Sequence, residues 1–273
     1  MNFYKLHMKL VRSCVFCQSK GMSKEHFWPN WVGPFLKKHK ENNFTSELYT
    51  GLGKNPMELK KKRAQPGNLF TKKMRVVCKS CNNGWMSRLE AEAKPILLSI
   101  LEGKSFRFDS SVQETLAKWI VMKVIVSEHS EEEKAVTPEA DANEFFRTQK
   151  IPSYFRIFIG YHNSSSDSAY IRHSMTLAVS RSGPNPPLAG RYGNTQSISF
   201  LLGPLCVHVL ASRIEGVDLG GFFTFTTLRQ IWPRETNSFN WPVETVTTPE
   251  ILKSVANCLN LLVGSPTVKA VNL

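Results

Sequence analysis

The chain has 273 residues, of which 41% are hydrophobic and 21% charged, and no run approaches the roughly 20 apolar residues of a membrane span, so we expect a soluble protein. Its N-terminus has lysines but lacks the apolar core of a secretion signal, which favours a cytoplasmic location without a membrane partner. The net charge is +13: residues 1–105 hold 20 Lys and Arg against 7 Asp and Glu, whereas residues 106–273 hold 15 of each. The basic first part favours a polyanion such as nucleic acid, with a solvated lysine-rich surface as the alternative.

Two Cys-x-x-Cys pairs mark the first hundred residues, one near the N-terminus and one 60 residues further on. Each pair can place two thiolates on one tetrahedral ion, so the two pairs predict a structural zinc site. Disulfides are the alternative, but they are not expected in a chain without a secretion signal. The long separation predicts that the zinc closes a clasp around an insertion. The four expected ligands are Cys14, Cys17, Cys78 and Cys81.

The insertion between the cysteine pairs, residues 37–73, is polar and rich in lysine. Its glycines and prolines predict a loop or a weak hairpin. A basic run here is either a solvated surface or a segment that contacts phosphates. The residues expected to bind nucleic acid are Lys60, Lys61, Lys62, Arg63, Lys72 and Lys73.

The second cysteine pair leads into predicted helices. The first is expected over residues 86–93, and Pro95 fits the first turn of a second helix over 96–101. Apolar residues at helical spacing predict a long helix over 111–129. Another helix is expected to begin near residue 138, with Thr137 as its N-cap and Pro138 at its first position.

From residue 154 the pattern changes to strands. Runs of β-branched and aromatic residues, separated by clusters of Gly, Pro, Asn or Ser, predict strands at 154–161, 169–180, 196–202, 206–212 and 222–227. A last helix is expected over 248–262, capped by Thr247 or Thr248. The remaining cysteines, Cys206 and Cys258, lie in apolar surroundings that predict small buried side chains.

Three polar residues near the cysteine pairs are the candidates for chemistry. His26 titrates near neutral pH and suits a general base, and Glu25 offers a hard oxygen ligand for Mg²⁺ or Mn²⁺. Neighbouring residues of an extended strand point to opposite faces, so a bend must bring both to one site. Asn82 directly follows Cys81, so zinc would fix its backbone, and its side-chain carbonyl could be a second ligand. A base and a divalent ion are what phosphodiester hydrolysis needs.

This pattern resembles the HNH, or His-Me finger, endonucleases, and most closely their zinc-clasped branch, which includes phage endonuclease VII and restriction-type HNH domains. The resemblance covers residues 10–92. It implies that Glu25 and Asn82 bind one divalent ion, that His26 activates water, and that the four cysteines hold zinc. The sequence departs from the family at the acidic position, which is usually Asp, and in the wide separation of His26 from Asn82.

The last His or Asn of the family pattern has no clear counterpart in this chain. Glu90 lies eight residues after Asn82, about 80° around an ideal helix, and could face the ion or be a surface residue.

The sequence predicts an α+β fold with two parts. The resemblance implies that residues 1–104 form a zinc-clasped ββα-metal (HNH) domain. For residues 105–273, the pattern of helices and strands predicts a helical connector and a mixed, largely antiparallel α+β domain. The second part would select the substrate, sense a ligand or bind a partner, such as a second copy of the chain or an accessory protein.

The expected function is that of a metal-dependent endonuclease that hydrolyses or nicks DNA, with double-stranded DNA as the substrate and a role in restriction or phage defence. Its cofactors would be structural Zn²⁺ and catalytic Mg²⁺ or Mn²⁺. The alternative is a zinc-containing protein that binds nucleic acid without cleaving it.

Overall fold

The computed structural model contains helices and antiparallel sheets and is of the α+β class. The residues that it describes are 13–36, 43–50, 58–66, 73–129, 135–165, 167–179, 193–214, 223, 225–234, 237–262 and 268–271. Of these, only the backbone is described for residues 43–50, 58–66, 177–179, 262 and 268–271.

A two-stranded ribbon followed by a helix organises the N-terminal part. Strand β1 (Met22–His26) pairs antiparallel with β4 (Lys73–Cys78), and the register shifts between Ser23 and Glu25. Strand β4 runs directly into a short helix, α1 (Lys79–Cys81). One wide helical turn (Asn82–Met86), which is kinked at Gly84, and then α2 (Ser87–Leu101) follow. This part thus contains two paired strands and a helix that follows the second of them.

The insertion between β1 and β4 contains a hairpin, one of the two structures that its sequence predicts. Strand β2 (Asn43–Thr50) pairs antiparallel with β3 (Glu58–Pro66). The basic run lies on β3, but its side chains, and the whole of Lys72, lie outside the described part of the chain. Lys73 is the first residue of β4 and is exposed.

Helix α2 is continuous, so the predicted break at Pro95 is wrong. Proline removes one backbone hydrogen bond from a helix interior, which normally favours a kink or an end. Here one face of the helix is buried on both sides of the proline, and this burial outweighs the lost bond. The buried residues are Leu89, Ala93, Leu97, Ile100 and Leu101.

Helix α3 (Ser110–Glu128) confirms the long helix predicted over 111–129. Asp109 caps it, because its Oδ1 accepts hydrogen bonds from the backbone N–H groups of Ser111 and Val112. Its second half is buried almost all round. This helix lies between the N-terminal elements and the large sheet, and the ring of Trp119 stacks at 6.4 Å on that of Trp28.

Thr137 does not cap the next helix, as its position in the sequence predicts. Helix α4 (Glu139–Thr148) begins after Pro138 and has no side-chain cap. The Thr137 hydroxyl instead donates to Glu128 Oε1 at 2.8 Å. A buried carboxylate accepts stronger hydrogen bonds than neutral groups do, and it must be hydrogen-bonded. The Thr137 hydroxyl therefore points to Glu128 and not to the helix terminus.

The C-terminal part forms a six-stranded sheet in which every pairing is antiparallel. In spatial order its strands are β10 (Arg229–Trp232), β6 (Phe155–Tyr161), β9 (Leu205–Ser212), β8 (Thr195–Leu202), β7 (Ser168–Val179) and β12 (Val268–Val271). The prediction of strands near 154, 169, 196 and 206 is confirmed. The strand predicted for 222–227 is wrong for the described residues there: the ring of Phe225 packs 4.7 Å from His208 on the sheet face, and the edge strand is β10.

Both faces of the large sheet are covered, because every residue of β8 is buried. One face packs on α3. The other packs on α5 (Pro249–Ala256), which Thr248 caps through a bond from Ile251 N–H. A short 3-10 helix (Cys258–Leu262) follows α5.

Smaller elements complete the fold. A second ribbon joins β5 (Phe106–Phe108) to β11 (Phe239–Trp241), and a short 3-10 helix (Asn30–Phe35) follows β1. Cys206 and Cys258 are buried, as predicted. Among the described helices, none combines the length and apolar character that a bilayer crossing requires.

The apolar core crosses the boundary that the sequence predicts between residues 104 and 105. The ring centroid of Trp28, in the first part, lies 4.9 Å from that of Phe200 on β8. The ring centroids of Phe27 and Tyr170 on β7 are 4.8 Å apart. Residues on both sides of the boundary belong to one buried cluster. The division into two domains stays a prediction, and in this structure the two parts share a core.

Glu128, at the end of α3, organises the junction between that helix and the sheet. Its carboxylate is fully buried and accepts hydrogen bonds from Val136 N–H at 2.9 Å and from Thr137 N–H at 2.8 Å, in addition to the Thr137 hydroxyl. The Gln196 amide on β8 also donates to it.

Replacing Glu128 by Gln is expected to lower the free energy of unfolding by about 3–4 kcal/mol, because an amide group would face donors that then lack an acceptor. Urea unfolding would measure this as a shift of the midpoint. The control is Glu144→Gln on the exposed side of α4. Equal stability of the two variants would contradict a role of the buried carboxylate in joining helix and sheet.

Candidate metal centre and adjoining polar site

The four cysteines of the two Cys-x-x-Cys pairs converge, as the sequence predicts. Their Sγ atoms all lie within 4.8 Å of one another, and Cys17 Sγ is 3.5 Å from Cys78 Sγ. A tetrahedral zinc with bonds of about 2.3 Å places its sulfur ligands about 3.8 Å apart. The cluster could therefore hold a metal ion such as zinc with little movement.

Hydrogen bonds to the backbone fix the first cysteine turn. The first closes through a bond from Gln18 N–H to Cys14 O at 2.9 Å, with Gln18 in the left-handed conformation (φ 60°). Val15 N–H donates to Val76 O at 2.9 Å and ties this turn to β4. The side chain of Asn143 on α4 donates to Phe16 O at 2.7 Å. The C-terminal part thus helps to hold the first cysteine turn.

The thiols differ in their environments. Burial raises the pKa of the Cys14 and Cys81 thiols above the ordinary value. Burial also acts to raise that of Cys17, but hydrogen bonds from Ser19 and from neighbouring cysteines outweigh it and lower the pKa to about 6. Buried thiols in close contact are the donor set that a soft divalent ion deprotonates on binding.

Asn82 is held against the strand that carries the other two candidates. It lies at the start of the wide turn directly after the fourth cysteine. Its Nδ2 donates to Ser23 Oγ on β1 at 2.8 Å. With the amide nitrogen engaged in this way, Oδ1 has no hydrogen bond to any described residue. This carbonyl oxygen is the atom of Asn82 that is predicted to bind a divalent ion.

Glu25 is buried and forms an ion pair that the sequence did not predict. Its Oε1 lies 2.7 Å from the ammonium nitrogen of Lys123 on α3, and both side chains are almost completely enclosed. The same ammonium lies 3.4 Å from Glu90 Oε2 on α2. Lys123 therefore bridges two carboxylates, one from the ribbon and one from the helix after it.

Glu90 is fixed from its other side by an aromatic residue. Trp31 Nε1–H donates to Glu90 Oε1 at 3.3 Å, and the ammonium of Lys94 lies 5.4 Å from the centre of the Trp31 ring. Glu90 is partly buried. It is thus neither a fully solvated surface residue nor, among the described residues, part of a cluster of three groups able to hold an ion.

His26 ends β1 opposite Lys73 and is only partly buried. Burial lowers its pKa from the ordinary value, and the positive charges of Lys73 and Lys123 act in the same direction. The nearby carboxylates of Glu25 and Glu90 oppose this shift. A lowered pKa favours the neutral imidazole, the form in which it can accept a proton.

Lys123 and Ser23 are the two contacts of the site that sequence reasoning missed. The signal for Lys123 was present: it is a single charged residue in an otherwise apolar stretch, residues 119–126. Lysine is almost never enclosed without a partner, so a lone lysine in a buried helix indicates a carboxylate nearby. No comparable signal distinguishes Ser23 from other serines.

Comparison of the chain with protein-family models, with curated proteins and with solved structures gave no significant match. The resemblance to HNH endonucleases therefore stays a prediction from the sequence.

Proposed function

We propose that the chain is a metal-dependent endonuclease of the HNH type, which hydrolyses phosphodiester bonds in DNA. The observation that carries this proposal is the hydrogen bond between Asn82 and Ser23. It ties the residue that follows the last cysteine to the strand that ends in Glu25 and His26. A strand, a strand and a helix around one site are also the elements for which the ββα-metal fold is named.

The division of labour follows from the chemistry of each side chain. Glu25 and Asn82 offer a carboxylate and an amide oxygen, the donors that Mg²⁺ and Mn²⁺ prefer. Such an ion would stabilise the charge that develops on the phosphate and the leaving oxygen. His26, neutral and partly accessible, would take the proton from the attacking water.

In this proposal zinc at the four cysteines has a structural role. The second cysteine turn immediately precedes Asn82, and the first is bonded to β4, the partner of β1. A bound ion would fix these two segments relative to each other. The polar site would then keep its geometry when a polyanion binds nearby.

The basic first part of the chain supports DNA as the substrate. Lys73 lies exposed opposite His26, and the basic run on β3 belongs to the same insertion. Each phosphate that these residues neutralise would release condensed counterions, which favours binding at low salt. A role in restriction or phage defence is a prediction from the resemblance alone. Double-stranded DNA as the substrate and a partner bound by the C-terminal part also stay predictions.

A second candidate function is binding of nucleic acid without cleavage. The observation that favours it is the ion pair of Glu25 with Lys123, because an ammonium already neutralises the carboxylate that the ion would need. In that case Glu25 would be a structural residue, and the basic surface alone would account for affinity.

Incubation of purified protein with supercoiled plasmid separates the two candidates. We expect conversion to open-circular or linear DNA with Mg²⁺ or Mn²⁺ and none in the same buffer without added Mg²⁺ or Mn²⁺. Zinc content would be measured in the same samples. Binding of DNA with a steep salt dependence, but without cleavage in Mg²⁺, Mn²⁺ or Ni²⁺, would leave only the binding function.

A further inference from the structure

The ion pair between Lys123 and Glu25 joins residues from the two parts of the chain. Lys123 lies on α3, beyond residue 105, and its ammonium reaches the ribbon that carries the candidate site. Its side chain is 6% exposed, and that of Glu25 is 10% exposed. Two charges that are so enclosed must satisfy each other, because either one alone would be costly to bury.

The contact is made by one oxygen of the carboxylate. Glu25 Oε1 accepts the hydrogen bond from Lys123, and Oε2 has no hydrogen bond within the described part of the chain. Glu90 holds the same ammonium from the opposite side, and Trp31 in turn orients Glu90. Two carboxylates, those of Glu25 and Glu90, therefore hold the Lys123 ammonium in place.

We propose that Lys123 is a positioning residue for the endonuclease site, which holds Glu25 by Oε1 so that Oε2 alone is presented to the divalent ion. This inference rests on the proposed function. A glutamate has one more rotatable bond than an aspartate, so its carboxylate needs an additional anchor to bind an ion at a fixed position. Lys123 supplies that anchor from the C-terminal part.

The same arrangement gives Glu90 a role other than that of an ion ligand. Its Oε2 faces Lys123 and its Oε1 accepts from Trp31. Both oxygens are thus engaged with protein donors. Glu90 helps to hold the ammonium in place. Together, Glu25, Glu90 and Lys123 carry a net charge of one negative unit, which attracts a divalent ion.

The test combines Mn²⁺ binding, measured by calorimetry on the zinc-loaded full-length protein, with plasmid cleavage. Lys123→Met removes the competing positive charge, so we expect Mn²⁺ affinity to rise by about tenfold. We expect kcat to fall by at least about tenfold with KM for DNA little changed, because Glu25 loses its fixed position. Affinity and turnover would thus move in opposite directions, which a loss of folded protein does not produce.

Lys118→Met is the matched control. It makes the same substitution on the same helix, where Lys118 pairs with Glu114 at 2.6 Å near the surface. We expect this variant to match the wild type in Mn²⁺ affinity and in turnover, because Lys118 pairs with Glu114 rather than with Glu25 or Glu90, and a pair near the surface is worth little.

Glu90→Gln keeps the inference testable if Lys123→Met does not fold. Glu90 is partly exposed, so its replacement leaves no fully buried charge without a partner. We expect Mn²⁺ affinity to fall by at most about tenfold, because the group loses one negative charge but no ligand. We expect kcat to fall by roughly threefold, because the ammonium loses one of its two anchors. A loss of Mn²⁺ affinity of about a hundredfold or more would instead make Glu90 a ligand and overturn the inference.

The remaining outcomes separate this inference from the proposed function. If the wild type binds Mn²⁺ and cleaves DNA, but folded Lys123→Met behaves like the wild type, only the role of Lys123 is overturned. If affinity and kcat fall together in proportion to the folded fraction, Lys123 is purely structural. If the wild type neither binds Mn²⁺ nor cleaves DNA, both the proposed function and this inference fail.

Discussion

Replacement of Cys81 by serine is expected to abolish metal binding and to unfold the segment around the candidate site. A structural zinc contributes roughly 10–16 kcal/mol of apparent binding energy in small zinc folds, which matches or exceeds the whole stability of a typical domain. Cys81 is 2% exposed and immediately precedes Asn82. A hydroxyl at this position binds zinc poorly, and the other three thiols would then be left buried without the ion.

Metal content by elemental analysis and thermal unfolding by circular dichroism measure the two parts of this expectation. The control is Cys206→Ala, which removes a buried thiol from the sheet and leaves the metal cluster intact. That variant should bind one equivalent of zinc and lose only the modest stability of a small cavity. If Cys81→Ser retains one equivalent of zinc and unfolds like the wild type, Cys81 is not a zinc ligand. If the wild type itself contains no zinc, the cluster is not a zinc site.

Replacement of His26 by alanine is expected to lower the rate of DNA cleavage by about 10²–10⁴-fold, the usual contribution of a general base. His26 is partly exposed and ends its strand, so little packing is lost. Its pKa is lowered mainly by burial, which favours the neutral imidazole that a base requires. Zinc content and DNA affinity should stay within about twofold of the wild type, because neither depends on a proton acceptor.

The control for His26 is Lys24→Ala, which changes an exposed residue two positions earlier on the same strand. Removal of one positive charge should weaken DNA binding slightly at low salt, with no effect on the rate at saturating DNA. Cleavage by His26→Ala at the wild-type rate would assign the base to another group. Equal loss in both variants would indicate damage to the ribbon, not to the chemistry.

The extent to which local sequence predicts this site is clearest at the cysteines. Two thiols separated by two residues can reach one ion whatever follows them, so the four ligands could be identified from spacing alone. The helix over α3 and most strands of the large sheet follow from periodicity, because each depends on side chains only a few residues apart. The edge strand was wrongly predicted at residues 222–227. The aromatic ring of Phe225 packs against Phe158 on the face of the sheet and does not mark a paired strand.

Thr137 and Pro95 show where local rules yield to the surrounding structure. Both have the sequence signature of a helix start, and both are used differently. Thr137 points to a buried carboxylate that needs donors, and Pro95 lies within a helix whose buried face continues past it. In each case the energy of a buried contact exceeds the preference of the isolated segment.

The sequence alone determined which residues could bind a metal and which could act as base, because these are properties of residue type and close spacing. Only the tertiary structure decided which of them meet. Lys123 reaches Glu25 across 98 positions of the chain, and Asn82 reaches Ser23 across 59. No local pattern encodes such contacts, because the partner of a buried charge is set by the elements that pack around it. The metal cluster was thus predictable, whereas the anchor of the acidic residue beside it was not.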